Sequence, residues 1–402
     1  MQFHDPRREV EKLREHLAAH DKPIAFLLGA GTSCSVRDAA GLPLIPTVRE
    51  LGVRCQTAVE ALGDGHRDAY LAIRNELALS RPDPTIEDIL SAVRHKVTAM
   101  TSGDQLAGTD RSHLEGIERA IREAIAIAVT PDPSAVPTTL PHHALARWIS
   151  RVSRTNPVEI FTTNYDTLLE QALEQELVPV FDGFVGSRQP FFAPGSLLHE
   201  NSAPGSDWCR LWKIHGSVNW HWSTSTSGER RIVRTHESTD GELILPSYEK
   251  YEQSRKQPYV AMLDRLARFL TVREDAVLIC LGYSFGDQHI NEILFDALGV
   301  RDRVHVFAVQ YADPAADSDL YCKALRRPNL VVYSPSQAIV GASQGAWRLV
   351  EPVDNRLAGL LDIPFDSDGV PEADKLSLTG RFRLGDFTWF TRFLERLEVA
   401  DG

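Results

Sequence analysis

The chain has 402 residues, 43% of them hydrophobic and 24% charged, a composition typical of a globular protein with a substantial core. Acidic residues outnumber basic ones 55 to 43 and the formal net charge is -12, so direct nucleic-acid binding is not expected. Five widely spaced cysteines without a Cys-x-x-Cys pair support neither a zinc ribbon nor a disulfide framework, and they favour a cytoplasmic protein with reduced thiols. No apolar run approaches the ~18 residues that span a bilayer, so no membrane association is expected.

Strands and helices alternate along much of the chain. Residues 7–20 carry apolar positions at helical spacing, and the apolar run at 24–28 predicts a strand buried on both faces. Similar runs follow, with helical patterns between several of them, for example at 167–177 and 258–270. This alternation predicts an α/β fold with a doubly wound, mostly parallel, Rossmann-like sheet. The further predicted strands lie at 158–166, 211–217, 242–246, 276–284, 303–310 and 329–334.

A long stretch after the first strand has little strand pattern. Helical periodicity at 85–97, where Thr85 can cap the helix, and at 116–129 predicts a helical insertion at 50–140. Such an insertion can form a lid or wall over a site. Residues 311–402 are predicted to form a C-terminal extension that ends in an aromatic-rich amphipathic segment.

The first candidate site is the segment GAGTS at 29–33, which follows a predicted strand and opens a helix. Glycine lets the backbone approach a pyrophosphate, and a helix N-terminus supplies unpaired N–H donors. Cys34 replaces the third glycine of the full dinucleotide fingerprint, so a tight turn without a ligand explains the segment about as well. The helix N-terminus can also lower the pKa of the Cys34 thiol, although a small buried thiol is the simpler interpretation.

Three further polar segments end predicted strands. TTNYD offers Asn164 and Asp166 for ribose hydroxyls, a carboxamide or a water, although Asp166 can equally be a helix cap. KIHGS supplies His215, a proton acceptor near neutral pH or else a core histidine. GYSFGD at 282–287 offers a glycine turn and a hydroxyl, or again a capped turn. Because the carboxyl ends of parallel strands meet at one edge, all four segments can converge on one crevice.

Taken in order, GAGTS, TTNYD, KIHGS and LGYSFGD resemble the motifs of the sirtuin family, most closely its bacterial branch associated with anti-phage defence. The resemblance covers residues 22–310 and implies a sirtuin-like catalytic domain at 1–310 that binds NAD+ as a substrate. The segment 41–46 resembles the flexible cofactor loop of that family. The implied catalytic residues are Asn164, Asp166 and His215, and the implied cofactor-binding residues are Gly29, Ala30, Gly31, Ser33, Thr163, Gly282 and Ser284.

One departure from the family concerns zinc. Deacylating sirtuins carry a four-cysteine zinc module after the HG motif, whereas residues 218–246 contain no cysteine and resemble a hairpin that turns at 226–228. The resemblance therefore implies an NAD+ glycohydrolase without zinc, which releases nicotinamide and ADP-ribose. Two alternatives stay open: an NAD-dependent ADP-ribosyltransferase or deacylase, and a nucleotide-binding assembly subunit without turnover.

The expected partners are a second copy of this chain and, from the same resemblance, a HerA-like ring ATPase. No Gly-x-x-x-x-Gly-Lys-Ser/Thr loop occurs in the chain, so the ATPase would be a separate protein. The apolar tail favours a homo-oligomer because such a surface needs cover, although docking on the chain's own sheet explains it as well. Its residues are Phe387, Trp389, Phe390, Phe393, Leu394 and Leu397.

Overall fold

A long, largely parallel sheet organises the chain, as the strand–helix alternation predicts. The structure is a computed structural model that describes residues 2–79, 83–101, 103–106, 109–151, 153–198, 203–235, 258–349, 364–367 and 378–397. In these residues the helices are α1 (Pro6–Ala18), α2 (Ala30–Cys34), α3 (Val48–Glu60), α4 (Asp64–Ala78), α5 (Ile86–Ala99), α6 (Arg111–Val129), α7 (Pro141–Arg151), α8 (Leu168–Gln175), α9 (Gly195–Leu198), α10 (Pro258–Val272), α11 (Gln288–Val300), α12 (Asp319–Ala324) and α13 (Phe387–Leu397).

The strands carry the predicted apolar runs. They are β1 (Phe3–His4), β2 (Ile24–Leu28), β3 (Gln105–Leu106), β4 (Thr109–Asp110), β5 (Glu159–Thr162), β6 (Val180–Phe181), β7 (Phe184–Val185), β8 (Phe191–Phe192), β9 (Cys209–Lys213), β10 (Trp220–Thr224), β11 (Arg230–Arg234), β12 (Val277–Leu281), β13 (His305–Val309), β14 (Leu330–Tyr333), β15 (Gln337–Val340), β16 (Ser343–Leu349), β17 (Phe365–Ser367) and β18 (Leu378–Phe382). Five of the predicted strands after the first are confirmed, and the one predicted at 242–246 lies outside the described residues.

The order of the parallel strands places the site. The sequence β9-β5-β2-β12-β13-β14 runs parallel throughout, and β6 adds to the edge at β9. Counted along the chain, this is the order 3-2-1-4-5-6 of the Rossmann fold. Strands β2 and β12, buried at every residue, are neighbours at the point where the chain order reverses. In such sheets, ligands bind outside the carboxyl ends at that point.

The sheet continues into the predicted C-terminal extension at 311–402, where a strand was predicted at 329–334. Strand β14 belongs to the parallel sheet, and β15, β16, β18 and β17 extend it with antiparallel pairs. Helix α13 then packs against α7 and inserts Phe390 beside Phe26, with ring centroids 6.2 Å apart. Phe387, Phe390, Phe393 and Leu394 are all buried. The chain therefore covers most of its own apolar tail, and the tail alone no longer argues for assembly.

Helices α3 to α6 occupy most of the predicted insertion and share a core of their own, which also takes in Tyr165 and Val218. The predicted cap at Thr85 is confirmed: its hydroxyl accepts the Asp88 N–H at 3.3 Å, and the Asp88 carboxylate accepts the Thr85 N–H at 2.8 Å. The predicted hairpin is present as β10 and β11, and Gly228 in its turn has a φ of +82°. Within the described parts of the chain, no helix combines the length and apolar character needed to cross a bilayer.

Candidate active site

A cavity of about 1370 Å³ opens at the carboxyl ends of β2, β5, β9, β12 and β13. It exceeds the roughly 300–1,000 Å³ of common ligand pockets, so a dinucleotide fits by size. The loop at 41–46 contributes Pro43, Ile45 and Pro46 to its wall. Of the ten predicted site residues, Gly29 alone is not among the lining residues. The nine that line the cavity are Ala30, Gly31, Ser33, Thr163, Asn164, Asp166, His215, Gly282 and Ser284.

The loop at 29–33 after β2 and the loop at 282–287 after β12 are in direct backbone contact through their glycines. The Gly29 N–H donates to the Leu281 carbonyl and the Gly31 N–H to the Gly282 carbonyl, both at 2.9 Å. A Cβ built on Gly29 would lie 2.4 Å from the Gly282 oxygen, and one on Gly282 would lie 2.5 Å from the Thr32 nitrogen. Contact between the loops therefore requires these glycines. This corrects the expectation of unpaired N–H donors for Gly29 and Gly31, whose amides are already bonded.

Replacing Gly282 by Ala should lower the free energy of unfolding by about 2–5 kcal/mol. A side chain at its φ of +60° costs about 1–2 kcal/mol, and the overlap with the Thr32 backbone adds about 1–3 kcal/mol. Gly341→Ala is the matched control, because Gly341 has a φ of +58° but no atom within 4 Å of an added Cβ. Denaturant unfolding of both variants measures the difference, and equal losses would contradict the interlocking of the two loops.

Asn164 is held by the glycine loop through its amide nitrogen. Its Nδ2 donates to the Thr32 Oγ1 at 3.0 Å and to the Ser33 Oγ at 2.8 Å. The Thr32 hydroxyl donates its own hydrogen bond to the Gly29 carbonyl at 2.8 Å, so it can only accept a hydrogen bond from the Asn164 amide. This fixes the orientation of the amide group. The Asn164 Oδ1 is buried and has no hydrogen-bond partner.

Asp166 is buried, and its Oδ1 accepts the Leu168 N–H at 3.1 Å, as the capping interpretation predicts. It also lines the cavity, so the cap and a ligand contact are compatible. The backbone at Asp166 is anchored by Lys213, whose Nζ donates to the Asp166 carbonyl and lies 2.7 Å from the Glu170 carboxylate. Lys213 of the KIHGS segment is therefore a structural residue.

His215 is paired with an acid that the sequence analysis did not single out. Its Nε2 lies 2.9 Å from the Oδ2 of Asp287, the last residue of GYSFGD. The two side chains are 10% and 20% exposed, so water screens the pair only partly. The Tyr165 ring packs beside the imidazole, with centroids 6.2 Å apart. The interpretation of His215 as an ordinary core histidine is therefore incomplete, since the ring is both hydrogen-bonded to a carboxylate and at the cavity wall.

Other residues at the cavity also lay outside the sequence prediction. Thr32 positions Asn164, as described above, and Trp389 and Arg392 of α13 line the cavity wall. The Arg392 guanidinium lies 5.7 Å from the centre of the Trp389 ring. Thr32 and Asp287 stood inside recognised segments, but Trp389 and Arg392 gave no sign of a site because only the fold brings them to the cavity.

Cys34, the minor candidate of the sequence analysis, proves structural, and so does the histidine pair at 142–143. Burial, with the nearby Asp166 and Glu50 carboxylates, raises the pKa of Cys34 to about 11, so a thiol activated by the helix N-terminus is wrong. Burial lowers the pKa of His142 to about 3, and the His143 Nδ1 accepts the Leu140 N–H at 2.8 Å. Among the described residues, no group of three or more His, Cys, Asp or Glu is arranged to hold a metal ion.

Comparison with known proteins adds one informative match. Residues 158–333, from β5 to β14, match a family model described as a SIR2-like domain. No curated protein matches the chain. Two solved structures are distantly similar: a Sir2 homolog–NAD complex (14% identity, 76% of this chain and 84% of that chain, TM-score 0.33) and a mutant Sir2 with a p53 peptide and NAD (12% identity, 77% and 89%, TM-score 0.30). Similarities this low do not indicate what this chain binds. The family match covers Asn164, Asp166, His215, Gly282 and Ser284 and supports a sirtuin-like family for this part of the chain.

Proposed function

We propose that this chain is an NAD+ glycohydrolase, which breaks the bond between nicotinamide and ribose and transfers the ribosyl group to water. The observation that carries the proposal is the hydrogen bonding of the Asn164 side-chain amide. Its Nδ2 is fixed by two hydroxyls, its Oδ1 is buried and unpartnered, and the residue lines the cavity. A buried carbonyl oxygen without a donor is costly, and a water or a ribose hydroxyl would supply that donor.

The proposed chemistry assigns one task to each polar side chain. Loss of nicotinamide takes the bonding electron pair away with the leaving group and leaves an oxocarbenium-like centre at C1′ of the ribose. Asn164 accepts a hydrogen bond from the attacking water or a ribose hydroxyl, and His215 accepts the proton that is released. Asp166 orients the carboxamide. The products are nicotinamide, ADP-ribose and a proton.

Two other functions fit parts of the site. Transfer of the ribosyl group to a protein would use the same residues, and deacylation is less favoured because the segment after His215 forms the β10–β11 hairpin. A nucleotide-binding subunit without turnover would have no use for the His215–Asp287 pair. We propose that NAD+ is the substrate and that zinc is not required.

Product analysis separates the three functions. The purified chain is incubated with NAD+, alone and with candidate protein or acyl-lysine peptide acceptors, and both small molecules and acceptors are weighed by mass spectrometry. Free ADP-ribose with unmodified acceptors is the expected result. ADP-ribose attached to a protein, or loss of an acyl group, would favour transfer, and unchanged NAD+ bound to the chain would favour the assembly subunit.

We further propose that the chain depletes cytoplasmic NAD+ as an effector of anti-phage defence, a role that rests on the resemblance of its four motifs to that bacterial branch. Residues of α3 and α5, among them Leu51, Glu87 and Ser91, form one wall of the cavity and are placed to restrain access. In phage-challenged bacteria, the cellular NAD+ should fall with the wild-type chain and stay constant with Asn164→Ala.

A homo-oligomer and a HerA-like ATPase partner belong to the same proposal. Light scattering at micromolar concentration should give a mass above that of one 44.8 kDa chain. Because α13 packs within its own chain, deletion of residues 385–402 should damage folding rather than assembly alone. A monomeric wild-type chain that is fully active without a partner would contradict both expectations.

A further inference from the structure

The Asp287 carboxylate divides its two oxygens between two tasks. Oδ1 accepts the backbone N–H groups of His289 at 2.9 Å and Ile290 at 3.2 Å, which makes Asp287 the N-cap of α11. Oδ2 faces the Nε2 of His215 at 2.9 Å. Burial raises the pKa of Asp287, but the hydrogen bonds from His215 and from the two backbone N–H groups outweigh burial and leave the pKa below its ordinary value. The carboxylate is therefore ionised near neutral pH.

An ionised carboxylate has no proton to give, so the proton between the two side chains belongs to the imidazole. His215 must hold it at Nε2 to donate to Asp287. In a neutral imidazole, this leaves Nδ1 as the nitrogen that accepts. The hydrogen bond at Nε2 orients the imidazole ring, so the tautomer and the direction of Nδ1 are fixed together.

We propose that Asp287 is a positioning residue for NAD+ hydrolysis, which holds His215 in the tautomer whose Nδ1 accepts a proton. The inference rests on the proposed function. In the step it serves, a water oxygen bonds to C1′ of the ribose as the bond to nicotinamide breaks, and nicotinamide keeps the electron pair. The proton of that water, or of a ribose hydroxyl in relay, passes to Nδ1. The resulting imidazolium is stabilised by the negative charge of Asp287.

The variant Asp287→Asn tests this proposal without removing the cap. Asparagine is as good an N-cap as aspartate, and its single carbonyl oxygen is taken by the N–H groups of His289 and Ile290. The group left facing His215 is then the amide NH₂, which donates. His215 must now accept at Nε2 and carry its proton at Nδ1, the opposite tautomer. We expect kcat to fall roughly 10²- to 10⁴-fold while KM for NAD+ changes little.

Asp287→Ser separates the tautomer from the cap and from the charge. Serine caps the helix well but is too short to reach the imidazole, so it neither fixes nor inverts the tautomer. We expect a smaller loss of kcat than in Asp287→Asn, although both variants lack the carboxylate charge. Asp5→Asn is the control for the substitution itself, because Asp5 caps α1 by accepting the Arg7 N–H at 2.9 Å, remote in sequence from the cavity segments. It should keep wild-type activity.

A spectroscopic measurement tests the pair without reference to activity. Nitrogen-15 chemical shifts of the imidazole, recorded on histidine-labelled protein and assigned with His215→Gln, report which nitrogen carries the proton. We expect Nε2–H in the wild type and Nδ1–H in Asp287→Asn. The same tautomer in both proteins, or equal kcat losses in the Asn and Ser variants, would overturn the proposal. Should the wild type show the expected tautomer but release no nicotinamide, the proposed function would fail while the His215–Asp287 pair stood.

Discussion

Replacement of Asn164 by Ala, or of His215 by Ala, is expected to lower the kcat for release of nicotinamide from NAD+ by roughly 10²- to 10⁴-fold. Asn164→Ala removes the amide group that the Thr32 and Ser33 hydroxyls orient at the cavity wall. His215→Ala removes the proton acceptor. Both side chains lie at the ends of strands rather than inside them, so the sheet should survive either change.

Two matched controls keep this prediction sharp. Asn156→Ala removes an asparagine whose Nδ2 donates to the Asp21 carbonyl at 2.8 Å, and His305→Ala removes the histidine that begins β13. Both residues lie toward the amino ends of the parallel strands, away from the cavity lining. Nicotinamide release is measured by chromatography, and folding by circular dichroism. Wild-type turnover in Asn164→Ala or His215→Ala would contradict the catalytic role proposed for that residue.

The second large effect concerns a buried ionic cluster around Glu159, which lies at the amino end of β5, whereas the cavity lies at the carboxyl ends of the strands. The Glu159 carboxylate accepts two hydrogen bonds from Arg265, at 2.8 and 2.5 Å, and one from the Trp212 Nε1 at 2.7 Å, and Arg210 lies 3.8 Å away. All four residues are buried. Glu159→Ala would remove the carboxylate that both buried guanidinium groups face. We expect the free energy of unfolding to fall by about 3–5 kcal/mol.

Glu159→Gln is the control for that change, since it keeps one acceptor oxygen, which can serve Trp212, while it removes the charge and replaces the other oxygen by an NH₂ group. A smaller loss is expected than for Ala. Because Glu159 begins β5 and the cavity lies beyond its end, turnover per folded molecule should be unchanged in both variants. Urea unfolding measures the stability, and a loss below about 1 kcal/mol for Glu159→Ala would show that the cluster contributes little.

Much of the fold was predictable because the apolar runs are unambiguous. The runs at 24–28 and 277–281 are buried at every residue, which is what a sheet covered on both faces requires. The convergence of Asn164 and His215 at one cavity followed from the rule that parallel strands end at one edge. Both the parallel sheet and the convergence of these residues were therefore predictable from a local pattern, an apolar strand followed by a polar residue.

Contacts between distant segments could not be predicted in the same way. His215 and Asp287 are 72 residues apart and follow strands β9 and β12, which are not neighbours in the sheet. The interlocking of Gly29 with Gly282 depends on the pairing of β2 with β12. The tail at 387–397 gave an amphipathic pattern, and that pattern is the same whether a helix docks on its own chain or on another.

The most direct test of NAD+ hydrolysis is a proton NMR time course of NAD+ incubated with the purified 402-residue chain, with Asn164→Ala run in parallel. Hydrolysis predicts that nicotinamide and free ADP-ribose accumulate together in a 1:1 ratio while NAD+ disappears, and that the variant leaves NAD+ intact. Nicotinamide without an equal amount of free ADP-ribose, or NAD+ that stays intact with the wild-type chain under every condition in which the fold is retained, would contradict it.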